Sequence, residues 1–132
     1  MPHNPAIDFA TFLAGAGLGL SLGTTMVVGM PRDASPDVPD NAVFVHGFGG
    51  VPATRFHGAP PEIRRPLLSL QVRNTSMLAG DTVARAILNA VAGADVATYL
   101  DVFPSQSEPN YAGQDQNGDH LWNHTFEMVY EE

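Results

Sequence analysis

The chain has 132 residues, of which 6 are basic and 14 acidic, so its formal net charge is -8. This length suits one domain, and we expect a single domain over residues 1–132. On folding, a domain of this size buries roughly 65 to 70% of the surface that its unfolded chain exposes. The acidic balance opposes binding to a nucleic-acid backbone or to an anionic membrane. The chain contains no cysteine, which excludes disulfides and thiol chemistry and suits a reducing cytoplasm.

The first predicted element is a short helix. Asn4 can cap free amide groups, and Pro5 suits the first helical position. The glycines from Gly15 onward end this helix. From Phe9 to Pro31 there is no charged residue, a length that could span a bilayer. Glycines and threonines interrupt the run, so a short helix, a turn and a buried strand explain it better.

Strands and loops are predicted to alternate in the middle of the chain. Strands at Thr25 to Met30 and Ala42 to His46 flank a loop, Met30 to Asn41, whose prolines and aspartates cannot support a ladder. The stretch from Gly47 to Arg65 is rich in glycine and proline and is predicted to be irregular. In Pro66 to Arg73, apolar and polar residues alternate, which indicates a half-exposed strand.

A second helix is predicted between Ser76 and Ala92, where apolar residues recur at helical spacing. Asp81 is placed to form an ion pair with Arg85, and Gly93 can close the helix.

Two further strands follow, at about Thr98 to Phe103 and Leu121 to Glu131, with a turn at Asn117-Gly118 between them. One face of the last strand carries Trp122, His124, Phe126, Met128 and Tyr130. The whole pattern predicts an α+β fold. We expect one mostly antiparallel or mixed sheet of about five strands, two flanking α-helices and long Pro/Gly-rich loops.

Two motifs are similar to parts of serine hydrolases. GLSLG (Gly19 to Gly23) matches the nucleophile elbow around Ser21, and VFVHGFGG (Val43 to Gly50) resembles an oxyanion segment containing His46. In those enzymes the oxyanion segment precedes the nucleophile, whereas here Ser21 comes first and is followed by a predicted strand. A small serine hydrolase is therefore a distant alternative, and no catalytic residue is predicted.

The polar segment Asp115 to Asp119 resembles the start of a calcium loop. His120 replaces the required glycine and Phe126 the bidentate glutamate, which excludes an EF-hand and favours a solvated hairpin tip. On a strand, His120 and His124 would lie about 13 Å apart, too far for one ion. The 5 histidines are expected to be at the surface or lightly buried, and no metal or cofactor is predicted.

Arg55, Arg64 and Arg65 form the basic cluster of the sequence. The planar fork of arginine suits bidentate pairing with carboxylates, which makes this cluster a candidate contact with a neighbouring subunit; solvated loop charges are the default interpretation. Arg32 and Asp37, in the Pro/Asp loop, are predicted to contribute to the same kind of interface.

Several segments, taken in order, resemble the tail terminator (minor capsid) proteins of long-tailed bacteriophages, the siphophages. They are the helix DFATFL, a strand ending VVGMP, the Pro/Asp loop, VFVHGFGG, the strand LLSLQVR, the helix VARAILNAV and the closing QSEPNYAGQDQNGDHLW. The resemblance covers roughly Ile7 to Glu132. One departure is Asp119, which stands where the turn in this family typically carries a basic residue.

The resemblance implies a structural protein without catalysis. It would form a homohexameric ring that caps the tail tube, ends tube polymerisation and joins the tail to the neck of the capsid. The implied partners are other copies of the chain, the tail tube protein and a neck or head-completion protein, in a virion assembled in the bacterial cytoplasm. Another neck component, such as a stopper, or a tube subunit is the alternative.

The resemblance also places the chain around the path that DNA takes on ejection. Genomic DNA would pass through the ring without specific binding, because fourteen acids oppose phosphate contacts. We therefore expect acidic residues on the lumen wall, namely Asp115, Asp119, Glu131 and Glu132.

Overall fold

The fold is that of a computed structural model. It describes residues 3–29, 39–56, 59–92, 94–96 and 98–131, with the backbone alone at 51–56 and 59–62. Within these residues the elements are α1 (Pro5–Ala14), β1 (Met26–Val28), β2 (Ala42–Phe56), β3 (Ala59–Asn74), α2 (Met77–Val91), β4 (Asp101–Pro104), β5 (Asn110–Gln114) and β6 (His120–Glu131). The predicted α+β class is confirmed.

The strands form one mixed sheet in the order β1-β2-β3-β6-β4. β1 runs parallel to β2, and the other neighbouring strands are antiparallel. β5 pairs with β6 on the same side as β4, because β4 covers the second half of β6 and β5 covers the first. The three long strands β2, β3 and β6 therefore hold the sheet together.

Both helices begin at a side-chain cap, and the cap of the first helix is the predicted one. The side chain of Asn4 accepts a hydrogen bond from the Ile7 amide at 3.4 Å, and Pro5 follows at the first helical position. In the second helix, the Ser76 hydroxyl accepts from the Ala79 amide at 3.2 Å. The predicted Asp81–Arg85 ion pair is present, with 2.9 Å between Nε and Oδ2.

Two of the predicted features cannot be compared with the fold. Gly93, expected to close the second helix, lies outside the described residues, as does most of the predicted loop Met30 to Asn41. The last helical residue is Val91, and the amide of Ala92 donates to the Leu88 carbonyl oxygen at 3.1 Å.

The helices cover one face of the sheet. The core joins helix residues such as Phe9, Leu13 and Ile87 to the alternating buried residues of β3 and β6. On β6 these are the predicted five: Trp122, His124, Phe126, Met128 and Tyr130. The intervening residues point to the opposite face, which neither helix covers.

The stretch from Gly47 to Arg65 was predicted to be irregular, and this prediction is wrong. It forms the turn-proximal part of a long hairpin, in which β2 and β3 stay paired from Ala42 opposite Arg73 to Phe56 opposite Ala59. Three register shifts accommodate the glycines and prolines. Pro52 is tolerated because the described residues place no strand on the outer side of β2 there.

His124 also departs from expectation, because its side chain is fully buried rather than near the surface. Its Nε2 lies 3.1 Å from the Ala84 carbonyl oxygen, which can only accept, so Nε2 carries the proton. Its Nδ1 then lies 3.4 Å from the side-chain Nε2 of Gln106, which also donates to the Asn123 carbonyl oxygen at 2.9 Å. The ring thus ties α2 and the β4–β5 connection to the sheet.

We expect the stability of the fold to fall in mild acid because of His124. Burial lowers the pKa of His124 below its ordinary value of 6.5, although the bond to Ala84 partly opposes this. Below pH 6.5 the unfolded chain binds a proton at this histidine, whereas the folded chain does not. The free energy of unfolding is therefore highest above pH 6.5 and decreases below it by at most about 1.4 kcal/mol per pH unit. Urea unfolding of the natural chain and of His124→Gln between about pH 7.5 and pH 5 measures this contribution. Equal pH dependence in the two proteins would contradict it.

Candidate functional site

The most distinctive feature of the molecule is the hairpin of β2 and β3, which extends past the rest of the sheet. The last pair that β3 makes with β6 within the described residues is Ile63 with Glu131. Residues 55–56 and 59–62 continue beyond it, and four strand residues span about 13 Å. We call residues 47–67 the arm.

The arm leaves one sheet edge open. β1 pairs only with the first part of β2, from Met26 opposite Val43 to Val28 opposite Val45. From Gly47 onward, β2 has β3 on one side and no described strand on the other. Phe48 lies on this open edge with 46% of its surface exposed. We call Gly47 to Gly50 the arm edge.

A second edge is open on the opposite side of the sheet. β4 pairs with β6 on its inner side, and the described residues place no strand on its outer side. Asp101 is exposed and Phe103 is partly exposed on this strand. The preceding residue, Leu100, is 61% exposed. We call Asp101 to Pro104 the β4 edge.

The predicted basic cluster lies on the arm. Arg64 and Arg65 are exposed on β3, and Arg55 lies on β2 directly opposite Glu62 in the backbone register. Two other arginines form ion pairs or hydrogen bonds within the chain. Arg85 binds Asp81 and lies 3.7 Å from Glu108, which together raise its pKa.

Arg73 is the other arginine with partners in its own chain. It donates to the backbone carbonyls of Asp40 at 2.9 Å and Pro39 at 3.1 Å, and its guanidinium lies 4.9 Å from the centre of the Phe44 ring. It therefore holds the start of β2 to the end of β3. The predicted interface residues Arg32 and Asp37 lie outside the described residues.

The predicted lumen residues lie at two ends of β6. Asp115 organises the turn before this strand, because its Oδ1 accepts from the amides of Asn117 at 2.9 Å and Asp119 at 3.0 Å. Glu131 is exposed at the far end of β6, on the face that the helices leave uncovered. Glu132 lies outside the described residues.

Asp119 differs from the other acids of this set because only 4% of its surface is exposed. Burial raises the pKa of its carboxyl group, and the nearby Asp40 and Asp115 act in the same direction while Arg73 opposes them. A buried carboxyl group with a raised pKa contributes less negative charge to a lumen wall than an exposed carboxyl group does.

Ser21 and His46 are not brought together into a catalytic arrangement. Ser21 is exposed in a turn, where its backbone carbonyl accepts from the amides of Thr24 and Met26. His46 lies on β2 opposite Ser69, and within the described residues no hydrogen bond joins it to Ser21. Strand β1 follows Ser21, where a nucleophile elbow requires a helix.

The described residues contain an apolar cavity of about 160 Å³ between the α1–β1 connection, the β2–β3 hairpin and α2. Its walls include Leu18, Leu20, Val43, Val72 and Val83, and neither Ser21 nor His46 lines it. Across the described part of the chain, no group of three or more histidine or acidic side chains could hold a metal ion. No helix among those residues is long and apolar enough to cross a membrane.

The sequence did not single out the two phenylalanines at the open edges. The signal for Phe48 was present in GFGG, an uncharged run without proline, which is unusual for a protected edge strand. Nothing in the sequence identified Phe103 or Asp101 as edge residues. The edge position of β4 follows from its pairing with β6, which the sequence does not show.

No protein-family model and no curated protein matches the sequence. Among solved structures, one chain in the virion of a native gene transfer agent particle has a similar fold, with a TM-score of 0.59. The two chains are 12% identical, and the match covers 94% of this chain and 84% of that chain. At this identity the match shows a shared fold.

Proposed function

We propose that the chain is a structural protein of a phage-like virion and acts as a tail terminator. In this role a closed ring of six copies sits on the end of the tail tube, stops its growth and joins it to the neck of the capsid. The observation that carries the proposal is the fold shared with a chain of the gene transfer agent virion, across nearly the full length of both chains. The ordered resemblance of its segments to siphophage tail terminators supports the finer role.

The two open edges support assembly through copies of the same chain. The arm edge and the β4 edge lie on opposite sides of one sheet. Each copy can therefore contact one neighbour through one edge and the next neighbour through a different edge. Such a heterologous contact forms a closed ring when its rotation divides a full circle, and a filament otherwise. A ring that closes leaves neither of these two edges free around its circumference.

The charge of the chain supports a conduit for DNA rather than a DNA-binding protein. Exposed acids such as Glu131 share the uncovered face with neutral polar side chains, including Gln71 and Asn123, which lie 3.5 Å apart. A wall of this kind would repel phosphates weakly and give no sequence-specific contacts. We infer no catalytic activity and no cofactor for this role.

Native mass spectrometry and electron microscopy of the purified chain over a range of concentrations test the proposal. We expect closed rings, six copies each, to become the main species as the concentration rises. Filaments of unlimited length would identify a tube subunit instead. A monomer at every concentration, also in the presence of tail tubes, would contradict the assembly role altogether.

A further inference from the structure

We propose that the arm edge of one copy pairs, antiparallel, with the β4 edge of the next copy, with Phe48 opposite Phe103. This inference rests on the proposed function, because it requires copies of the chain to assemble. It names the residues of the contact, which neither the fold nor the comparisons assign.

The register of the sheet places the two phenylalanines in one row. Phe48 is paired with Leu67, Leu67 with Glu127, and Glu127 with Phe103. Directly paired residues point to the same face, so both phenylalanines lie on the face that the helices leave uncovered. A neighbour that continues the sheet in the same row therefore brings Phe103 beside Phe48.

The strand directions agree with this arrangement. β3 is antiparallel to both β2 and β6, and β4 is antiparallel to β6, so β2 and β4 of one copy run in opposite directions. A neighbour in the same orientation then presents β4 antiparallel to the arm edge. An aromatic pair directly opposite across antiparallel strands stabilises the pairing.

Charge complementarity selects the same register. With Phe48 opposite Phe103, Asp101 falls opposite Gly50, next to Val51, whose partner on β3 is Arg65. Arg65 alternates with Leu67 and so lies on the same uncovered face as Asp101. Two strand spacings, about 10 Å between backbones, separate them, which a long arginine side chain can bridge.

The composition of the arm edge also favours a strand as its occupant. An exposed strand edge is normally protected by charged residues or proline, whereas Gly47 to Gly50 carry neither. Within the described residues β2 is open on this side from Gly47 to Phe56, and β4, which has 4 residues, would cover the first part of that edge. Glycine in a strand also allows another backbone to approach closely.

Engineered cysteines test the register, because the natural chain contains no cysteine. In Phe48→Cys combined with Phe103→Cys, paired positions would lie about 5 Å apart across the interface, within reach of a disulfide. Within one copy the same positions are separated by three strand spacings, about 14 Å, so a disulfide can form only between copies. We expect mild oxidation to give a ladder of covalent multimers that ends at the ring size.

A matched control distinguishes pairing from chance collision. Leu78→Cys combined with Phe103→Cys places one cysteine on α2 at a residue that is 80% exposed, more accessible than Phe48. We expect this control to form few disulfides at the same protein concentration. Equal ladders in both variants would overturn the proposed pairing.

Charge reversal tests the second contact without cysteines. Arg65→Glu and Asp101→Arg should each raise the concentration at which half of the chains are assembled by about tenfold, and the double variant should restore most of the loss. Arg85→Glu, which changes the charge equally at an arginine paired within its own chain, should leave assembly unchanged. Circular dichroism verifies that the monomers remain folded.

The outcomes separate this inference from the proposed function. Normal rings without disulfides, or with no response to either charge reversal, would overturn the edge pairing while leaving the terminator role intact. Failure of the natural chain to form any assembly would overturn both.

Discussion

Replacing Gly80 by alanine should destabilise the fold by about 2 kcal/mol or more. A β-carbon at Gly80 would lie 2.2 Å from Cζ3 of Trp122 and 2.9 Å from Cβ of Asn74. Trp122 is 2% exposed and packs against the rings of Tyr111 and His120, so it cannot withdraw without disturbing the core. Overpacking of this kind typically costs about 1 to 3 kcal/mol and sometimes more.

The sign of this effect is diagnostic, because alanine in place of glycine inside a helix normally stabilises by about 1 kcal/mol. Urea unfolding of Gly80→Ala compared with the natural chain gives the difference. In a Trp122→Phe background the same change should cost less, since the smaller ring leaves room. A Gly80→Ala protein more stable than the natural chain would show that α2 does not approach Trp122 as closely as described.

Replacing Gly50 by alanine should disrupt the arm, at a cost of about 2 kcal/mol. Gly50 has a φ of +75°, a conformation that favours glycine. A β-carbon there would also lie 2.4 Å from the Arg65 carbonyl oxygen and 3.0 Å from the Leu67 nitrogen. Both are backbone atoms of the paired strand, so relief requires β2 and β3 to separate or to shift register.

The neighbouring residue provides a matched control. At Gly49 an added β-carbon meets nothing within 4 Å, so Gly49→Ala should change stability little. Hydrogen exchange should show faster exchange of arm amides in Gly50→Ala but not in Gly49→Ala. Equal exchange in the two variants would contradict the register shift between Phe48 and Val51.

Because the arm edge ends at Gly50, the Gly50→Ala protein should also lose assembly.

The sequence predicted those elements whose local pattern and burial agree. The start of helix α2 was predicted within one residue because its apolar residues repeat at helical spacing, and the structure shows Ser76 as its cap. The five residues that share one face of β6 were also predicted correctly, because alternation along a strand places every second residue on the same face.

The arm was missed because its glycines and prolines are signals for loops, while its strands are held by pairing with each other. That pairing is not encoded in local propensity, and β-bulges absorb the residues that break the alternation. Strand β5 was missed for a related reason: most of its residues are exposed, so they carry no apolar pattern.

The candidate site was predicted only in part. The sequence marked the arginines of the arm, because charge clusters are visible without a structure. It could not mark Phe103 or Asp101, since the open edge of β4 depends on which strands are neighbours. The burial of His124 was likewise hidden, because its partners, Ala84 and Gln106, are 40 and 18 residues away.

The presence of two different open edges on one chain has a genetic consequence. In the proposed ring, a copy that is damaged at one edge keeps the other edge intact and can still join. Once incorporated, it leaves a gap that no further copy can close, so a minority of damaged chains would spoil many rings. Mutations confined to either edge should therefore be dominant when the natural gene is expressed in the same cell, whereas mutations that unfold the chain should be recessive.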